Sequence, residues 1–436
     1  MNPASLEPRI EPAIARAILA RVGEIGQPPD AGIEHLNTGN ESILGVLERE
    51  YIAPMAESRR GSAFKLVQAY FGGGKTHFLY AVRALAWRYG FASAVVGLSP
   101  EECPFDDPVR IFRAVAAELS WPPQGTPQGA PPEPSSPPAR GIEAALRVAL
   151  EERVEQAGAE AVEAWIAAEL RRTSMDSPSF RAAVVGYLLA LLHEDPARED
   201  LLGAFLRGEE LSLAELRPFG VRELLARESG FRFLRSLCQV VQALGCPGLL
   251  LCFDELDRNL SLPPRRRRAV ADNLRQLIDL TGREALPGLL CLYAVPPEFM
   301  RNVVVEYPAL QQRLEGPSML SARSPQAAVI DLEHLDLAPQ PLLVAIGLRL
   351  LALFEAAHDA GLDPALQLQN LEVLADEVLA SSFEVAHRRA FVKAAVELLH
   401  RQTAAEGLLT PAEARSLAGQ GGEVVALGVG DGFEVF

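Results

Sequence analysis

Five short apolar runs are the most regular feature of the chain. They are nearly continuous rather than alternating with polar residues, which is typical of strands buried on both faces of a parallel sheet. The runs lie at residues 63–69, 91–98, 248–253, 286–295 and 327–332. Apolar residues at helical spacing follow the first run at 78–87 and the second at 109–119. This order of elements predicts an α/β fold with a parallel five-stranded core.

Two helical stretches accompany this core. Residues 141–245 carry amphipathic segments and no strand pattern, so we predict a helical insertion between the second and third strands. Residues 336–403 predict a small C-terminal helical lid domain, with helices at 340–358, 368–381 and 385–402. The helices predicted within the insertion are 141–157, 159–172, 179–192, 198–207, 221–226 and 230–244.

A proline-rich stretch helps to divide the chain into segments. Residues 121–140 are of low complexity, which predicts an extended linker. Residues 422–436 fit either a strand pair or an irregular tail. The predicted segments are an N-terminal helical segment (1–60), the two parts of the α/β core (61–120 and 246–335), the linker (121–140), the insertion (141–245), the lid (336–403) and a C-terminal tail (404–436).

The turn after the first predicted strand carries the first candidate chemistry. Residues 69–77 read Ala-Tyr-Phe-Gly-Gly-Gly-Lys-Thr-His between a predicted strand and a predicted helix, which is the context of a phosphate-binding P-loop. Glycines let backbone N–H groups converge on phosphate oxygens, and the helix N-terminus adds the positive end of its dipole. Lys75 would reach the β- and γ-phosphates, and the Thr76 hydroxyl would coordinate Mg²⁺. The predicted nucleotide-binding residues are Gly72, Gly73, Gly74, Lys75, Thr76 and His77.

One position of this turn departs from the usual P-loop pattern. Ala69 stands where the first glycine is expected, although residues 72–76 keep the Gly-Gly-Gly-Lys-Thr core. Glycine-rich turns between a strand and a helix are common. This turn alone therefore leaves open an ordinary connection that binds no nucleotide.

A second motif follows the third predicted strand. The apolar run 248–253 ends in Asp254 and Glu255. In this position the aspartate would hold Mg²⁺, and the glutamate would be the catalytic general base or would position the attacking water. The alternative is a buried strand that merely runs into an acidic loop. Both motifs on one chain, each at the end of a predicted strand, together predict an ATP–Mg²⁺ site.

The charge balance narrows the range of partners. The 436 residues include 41 basic and 57 acidic side chains, a net charge of −16. General coating of nucleic acid is excluded, because that binding depends on neutralising phosphates. A local basic cluster opens a predicted helix and could contact DNA, an acidic partner or only solvent. It consists of Arg265, Arg266, Arg267 and Arg268.

The sequence carries no recognisable signal peptide, membrane-spanning run or zinc-binding cysteine pattern. The first twenty residues carry charges where the apolar part of a signal peptide would lie, and we find no apolar run of the roughly 18–20 residues that span a bilayer. The five cysteines lack zinc-ligand spacing. We therefore expect a cytoplasmic protein without membrane contact.

Together these features resemble the AAA+/STAND branch of P-loop NTPases and, more closely, the ATP-binding protein family of BREX phage-exclusion systems. The resemblance includes the strings Lys-Thr-His-Phe-Leu, Leu-Ser-Pro and Pro-Glu-Phe, and it spans roughly residues 40–400. It implies an ATPase that acts on or near DNA in a defence complex, with partner proteins such as a helicase. The segments that carry it are 72–79, 95–112, 251–257, 293–299, 307–314 and 389–393.

The resemblance also implies roles for two arginines. Arg313 lies where related ATPases place a catalytic arginine that reaches the γ-phosphate of a neighbouring subunit, so we expect a homo-oligomer. Arg389 lies where the lid would supply an arginine that senses the nucleotide. Both residues are equally consistent with ordinary surface positions.

Two functional hypotheses follow from the sequence. The first is an ATP-driven motor or switch in a DNA-associated anti-phage complex. The fourth strand, however, ends in Ala294, Val295 and Pro296, where a polar residue is expected to orient the attacking water. The alternative is therefore a nucleotide-binding scaffold that does not hydrolyse ATP and recruits partners through its helical insertion. A kinase-like P-loop enzyme is disfavoured, because the sequence shows no substrate-binding lid of that kind.

Overall fold

The five apolar runs form one parallel sheet. The computed structural model describes residues 10–99, 103–123, 139–254, 262–316, 318–381 and 387–419. The strands are β1 (Ala63–Gln68), β2 (Ala92–Gly97), β3 (Leu249–Asp254), β4 (Leu289–Val295) and β5 (Val329–Asp331). Their order across the sheet is β2-β3-β4-β1-β5, and each neighbouring pair is parallel. The predicted α/β class with a parallel core is confirmed.

The strands of this sheet end at a common edge. β1 pairs with β4 so that Gln68 lies opposite Val295, and with β5 so that Gln68 lies opposite Asp331. β3 pairs with β2 so that Asp254 lies opposite Gly97. Ligands of open parallel sheets bind outside the carboxyl ends of the strands. The register therefore brings the ends of β1 and β3, which carry the two predicted motifs, to the edge where such a ligand binds.

Helices cover both faces of the sheet. Successive side chains of a strand point to opposite faces, so they pack against different helices. Leu66 and Val67 of β1, for example, lie in two different hydrophobic clusters. The helices are α1 (Pro12–Ile25), α2 (Glu41–Leu47), α3 (Ala53–Ser58), α4 (Lys75–Arg88), α5 (Pro108–Glu118), α6 (Ile142–Ala157), α7 (Ala159–Ala168), α8 (Pro178–Leu192), α9 (Pro196–Leu206), α10 (Leu213–Leu216), α11 (Gly230–Leu244), α12 (Pro264–Gly282), α13 (Pro297–Phe299), α14 (Pro308–Leu314), α15 (Pro339–His358), α16 (Pro364–Ser381) and α17 (His387–Ala404).

The insertion between β2 and β3 is helical, with no strand assigned in the described residues 139–248. Its helices share one hydrophobic cluster with the sheet rather than forming a core of their own. Phe112 of α5, Phe180 of α8 and Phe233 of α11 meet edge to face, with ring centroids 5.6 to 5.9 Å apart. Such pairs add to the stabilisation that burial alone provides. The insertion is thus anchored to the core by aromatic packing.

One predicted helix of the insertion is wrong. Residues 221–226 have no regular secondary structure. The Ser179 hydroxyl accepts hydrogen bonds from the Arg222 and Glu223 N–H groups (2.9 and 3.2 Å). The Glu223 carboxylate in turn accepts a hydrogen bond from the Ser177 hydroxyl (2.7 Å). Ser179 of α8 thus binds two backbone N–H groups of this irregular segment, and Ser177 binds one of its side chains.

The C-terminal helices pack together with the first helix of the chain. α15, α16 and α17 share a hydrophobic cluster with α1, in which Leu19 and Val22 contact the lid. The Arg16 guanidinium of α1 donates a hydrogen bond to the Ala357 carbonyl of α15 (3.0 Å). The helices α2 and α3, by contrast, pack on the sheet. The described part of the segment predicted at 1–60 therefore packs in two places, with α1 against α15–α17 and with α2 and α3 against the sheet.

The helix α15 is long and apolar enough to cross a membrane, which the sequence analysis did not find. Half of its 18-residue apolar window is buried inside the protein. Leu350 and Phe354 lie at the centre of the lid cluster. A core helix passes the same test of length and composition as a spanning helix, so this single helix is weak evidence for a membrane segment.

Candidate nucleotide-binding site

The loop between β1 and α4 requires each of its three glycines. Gly72 and Gly74 have φ of 73° and 90°, in the left-handed region that side chains other than glycine rarely adopt. A Cβ on Gly73 would lie 2.6 Å from a Glu333 carboxylate oxygen and 3.0 Å from the Tyr70 carbonyl. The loop then ends at the first turn of α4, as a P-loop does.

The alanine that replaces the first P-loop glycine fits the same conformation. Ala69 is fully buried and continues β1, because its N–H donates to the Val295 carbonyl of β4 (3.2 Å). It is not among the described residues with positive φ. A methyl group at this position therefore does not strain the loop, and the departure from the usual pattern does not disrupt the site.

Lys75 is held inside the loop. Its Nζ donates to the Ala69 carbonyl (2.8 Å) and the Tyr70 carbonyl (3.1 Å), and the side chain is 8% exposed. The Tyr70 N–H donates in turn to the Glu333 carboxylate (2.8 Å). The amine thus lies at the phosphate end of the site with hydrogen bonds to neutral carbonyl oxygens.

The two predicted motifs meet in the structure. The Thr76 hydroxyl, in the first turn of α4, donates a hydrogen bond of 2.6 Å to the Asp254 carboxylate at the end of β3. Mg²⁺ prefers oxygen ligands and is usually held by one or two protein oxygens together with phosphates and water. This pair fits that chemistry, although among the described residues no group of three or more His, Cys, Asp or Glu side chains is arranged so that it could hold a metal ion. The predicted base Glu255 lies outside the described residues.

His77 connects the loop to the N-terminal segment. Its Nε2 lies 3.2 Å from the Asn37 Oδ1. Burial, with a smaller contribution from the charge of Arg388, lowers the pKa of His77 from 6.5 to about 4. The imidazole is therefore neutral at physiological pH, and its Nε2–H donates to the Asn37 oxygen. His77 thus positions the segment before α2 and is not a cationic phosphate ligand.

Two adjacent arginines of α17 contact the loop between β1 and α4. Arg388 donates to the Gly73 carbonyl and to the Leu332 carbonyl (2.7 Å). The Arg389 guanidinium lies 4.8 Å from the centre of the Phe71 ring, a cation–π contact. Burial lowers the pKa of both arginines. The sequence analysis named only Arg389; the adjacent Arg-Arg pair was visible, but the choice between them depends on how α17 is rotated.

A cleft of about 470 Å³ contains these groups, a volume typical of small-molecule sites. One end of it is formed by the loop between β1 and α4, Asp254, Arg388 and Arg389. Its other walls come from α1, from the segment before α2 and from α15 and α17; α1 and the segment before α2 were not predicted to line the site. The apolar wall residues are Val22, Pro28, Leu36, Leu335, Leu342, Ile346 and Val392.

Arg313 lies away from this cleft. Its guanidinium forms hydrogen bonds of 2.5 and 3.1 Å with the Asp279 carboxylate of α12 and a bond of 2.6 Å with the Ala309 carbonyl. The Arg313 hydrogen bond also holds the pKa of Asp279 below its usual value. Within one chain, this arginine binds a carboxylate of α12 and does not line the nucleotide cleft.

The basic cluster at the start of α12 is partly paired within the chain. Arg266 binds both oxygens of Asp106 (2.9 and 3.0 Å), and Arg267 lies 3.8 Å from Glu306. Arg265 and Arg268 are exposed. Two of the four predicted DNA-facing side chains are thus engaged with acidic residues of the same chain.

A comparison with protein-family models gives the family of this chain. The model for BREX system ATP-binding proteins BrxC/D matches residues 10–413. The chain belongs to this family. The predicted resemblance is confirmed, and ATP is the ligand that the family description supports. Searches among curated proteins and among solved structures found no match.

The residues matched by the family model include all the residues that line the cleft. The match begins before α1 and continues past α17, and both helices line the cleft. The match therefore includes the P-loop, Asp254, the paired arginines and the apolar walls. Membership in this BREX family places the protein in a multi-protein defence system.

Proposed function

We propose that this chain binds ATP–Mg²⁺ in the cleft between core and lid and hydrolyses ATP to switch an anti-phage complex that acts on DNA. The 2.6 Å hydrogen bond between Thr76 and Asp254 carries the proposal. It joins the two motifs across the sheet, although 178 residues separate them in sequence. A fortuitous glycine-rich turn would not require a carboxylate at this point.

The residues of the loop support binding of a polyphosphate. Gly72, Gly73 and Gly74 form the turn, and Lys75 supplies a positive charge whose Nζ donates to carbonyl oxygens of the loop. Charge-assisted hydrogen bonds to phosphate are stronger than neutral ones. Mg²⁺ would supply charge neutralisation between the phosphates. Thr76 and Asp254 would hold it with their oxygens, and the hydrogen bond between them would open as they do so.

The arginines of α17 support coupling between nucleotide and lid. Arg388 already contacts the Gly73 carbonyl, so a change in the loop on phosphate binding would reach α17 directly. Arg389, which lines the same cleft, would contact the phosphates or the Phe71 ring. We propose that these two contacts report occupancy of the site to the lid.

Hydrolysis is proposed to depend on Glu255, which directly follows Asp254. Replacing a general base typically lowers the rate by about 10²–10⁴-fold without preventing binding. We expect Glu255→Gln to retain bound nucleotide while turnover falls by about this factor. The measurement is steady-state phosphate release, combined with the nucleotide content of the protein after gel filtration.

Glu210 provides a matched control for this experiment, because its side chain in the insertion is 94% exposed. Glu210→Gln should hydrolyse ATP at the wild-type rate. If the wild type shows no turnover and Glu255→Gln retains no more nucleotide than the wild type, hydrolysis is not the function.

A non-hydrolysing scaffold is the second candidate, and two observations favour it. β4 ends at Val295 and continues into Pro296, so no polar side chain follows this strand to orient water. Arg313 is paired with Asp279 within the chain. Tight ATP binding without phosphate release, with or without DNA, would establish this function instead.

The partners are proposed from the family and from the surface. A homo-oligomer would let Arg313 exchange Asp279 for the γ-phosphate of a neighbouring subunit. DNA contact would use the exposed Arg265 and Arg268, and a helicase would be a partner protein of the complex. The net charge of −16 confines DNA contact to such a local patch.

A further inference from the structure

Asn40 directly precedes α2, at the position that asparagine often occupies to cap a helix. A capping asparagine accepts a hydrogen bond from a backbone N–H two or three residues later, but the Asn40 side chain makes no such bond. Only its backbone carbonyl is used, by the Leu44 N–H (3.0 Å). The turn before it is closed by Glu41, whose carboxylate accepts from the Gly39 N–H (2.8 Å). The amide of Asn40 is therefore not used by the local structure.

The same amide is withdrawn from solvent. Asn40 is 5% exposed, and its buried Oδ1 has no hydrogen-bond partner within the described chain. Buried polar side-chain atoms in native proteins nearly always have a partner, because leaving one unbonded is costly. An unbonded amide in the wall of a ligand cleft indicates a partner that arrives with the ligand.

Asn37, three residues before Asn40, joins this segment to the phosphate end of the cleft. Asn37 is hydrogen-bonded to His77 (3.2 Å), one residue after Thr76. Asn40 lines the cleft with Leu36 of this segment, and Ile346 and Val392 of the lid complete an apolar wall. A flat ring with apolar faces and polar edges suits these surroundings.

We propose that the Asn40 amide recognises the hydrogen-bonding edge of adenine. Its oxygen accepts from the exocyclic amine, and its NH₂ group donates to a ring nitrogen, the two-bond pairing that asparagine forms with adenine in other settings. Since no bond holds Oδ1, the amide turns about χ2, a soft torsion, without breaking an interaction. The inference rests on the proposed nucleotide site and adds the residue that determines its base specificity.

The test removes each half of the proposed contact in turn. Binding of ADP and of purine riboside diphosphate, which lacks the 6-amine, is measured by calorimetry for the wild type and for Asn40→Ala. The wild type should prefer ADP by about 5–100-fold, and the variant should bind the two ligands alike. The changes in binding free energy on removing the amide and on removing the amine are then non-additive, as expected for groups in direct contact.

Asn37→Ala is the matched control, since it removes the same side chain from the same segment. Loss of the Asn37 side chain should weaken the binding of both diphosphates by the same factor and preserve the preference for ADP, because Asn37 acts through His77 rather than on the base. The thermal midpoint of unliganded Asn40→Ala should be unchanged or higher than that of the wild type, because a buried unbonded group is removed. A structural role of the amide would lower it.

Two results would overturn the inference. Asn40→Ala could keep the full preference for ADP, whether or not it binds both diphosphates more weakly, or it could lower the thermal midpoint of the unliganded protein. Failure of the proposed function gives a different result: the wild type then binds neither diphosphate, and Lys75→Ala changes nothing. That result would remove the nucleotide site and the role of Asn40 together.

Discussion

Arginines in two regions of this protein have opposite surroundings. Arg388 and Arg389 lie in the cleft between core and lid, where they contact backbone carbonyls and an aromatic ring. Arg266 and Arg313 lie on or against α12, and each binds both oxygens of a carboxylate of its own chain. All four carry a guanidinium group, yet of these four only the first two line the cleft.

The two groups of arginines differ in their remaining capacity to bind an anionic ligand. A carboxylate neutralises an arginine and satisfies its N–H groups together, so little remains for another ligand. Carbonyl oxygens accept hydrogen bonds without forming an ion pair, and the charges of the nearby Glu333 and Asp254 carboxylates offset the burial of Arg388 and Arg389 only in part. Burial lowers the pKa of Arg388, a sign that its charged form is held there at a cost. A polyphosphate in the cleft would relieve that cost, whereas Arg313 would first have to leave Asp279.

The strongest test of the cleft is the removal of its lysine. Lys75→Ala should weaken ATP by about 100-fold or more, because several charge-assisted hydrogen bonds to phosphate are lost together. Lys65→Met is a control, since Lys65 is also buried on this part of the core but donates to the Tyr51 hydroxyl and the Ala327 carbonyl (2.7 and 2.8 Å). It should alter the thermal midpoint and leave ATP affinity unchanged. Equal affinities of Lys75→Ala and wild type would place the nucleotide elsewhere.

A smaller effect should separate the two lid arginines. Arg388→Ala should lower ATP affinity by about tenfold, the loss expected for one charged hydrogen-bonding group. Arg389→Ala should lower it by only about threefold, since its described contact is a cation–π interaction. Titration of both variants with a fluorescent ATP analogue measures the difference. The reverse order would make Arg389, the residue named by the family resemblance, the dominant one.

The smallest effect on binding should come from Arg313. Arg313→Ala should cost at most about 1 kcal/mol of stability, because the pair with Asp279 is partly exposed, and should leave ATP affinity unchanged. The pKa of Asp279 is lowered in the folded protein. The contribution of the pair is thus present above the ordinary carboxyl pKa and is lost as pH falls through the lowered value.

Chemical denaturation of wild type and Arg313→Ala between acid and neutral pH measures this contribution. A loss of ATP turnover at normal affinity, seen only at protein concentrations that support assembly, would instead assign Arg313 to a neighbouring subunit. That outcome would remove the contrast between the two groups of arginines.

The buried strands were predicted correctly, because both their faces are apolar. The turn at Gly72 and Gly74 was also expected from the sequence, and both residues have positive φ. The nucleotide-binding role of this turn and the metal-binding role of Asp254 stay predictions. The prediction for Glu255 is not tested, since it lies outside the described residues. The helix predicted at 221–226 is absent, and the Arg222 and Glu223 N–H groups of this irregular segment bind the hydroxyl of Ser179, more than forty residues away.

The sequence by itself therefore determined the class of fold and the glycine-rich turn after β1, because strand burial and glycine geometry are local properties. Only the tertiary structure decided the rest of the cleft. It brought α1 against the lid, turned Arg388 toward the loop, paired Arg313 with Asp279 and left the amide of Asn40 without a partner. Each of these depends on contacts between distant segments, whose rotation and register no local pattern specifies.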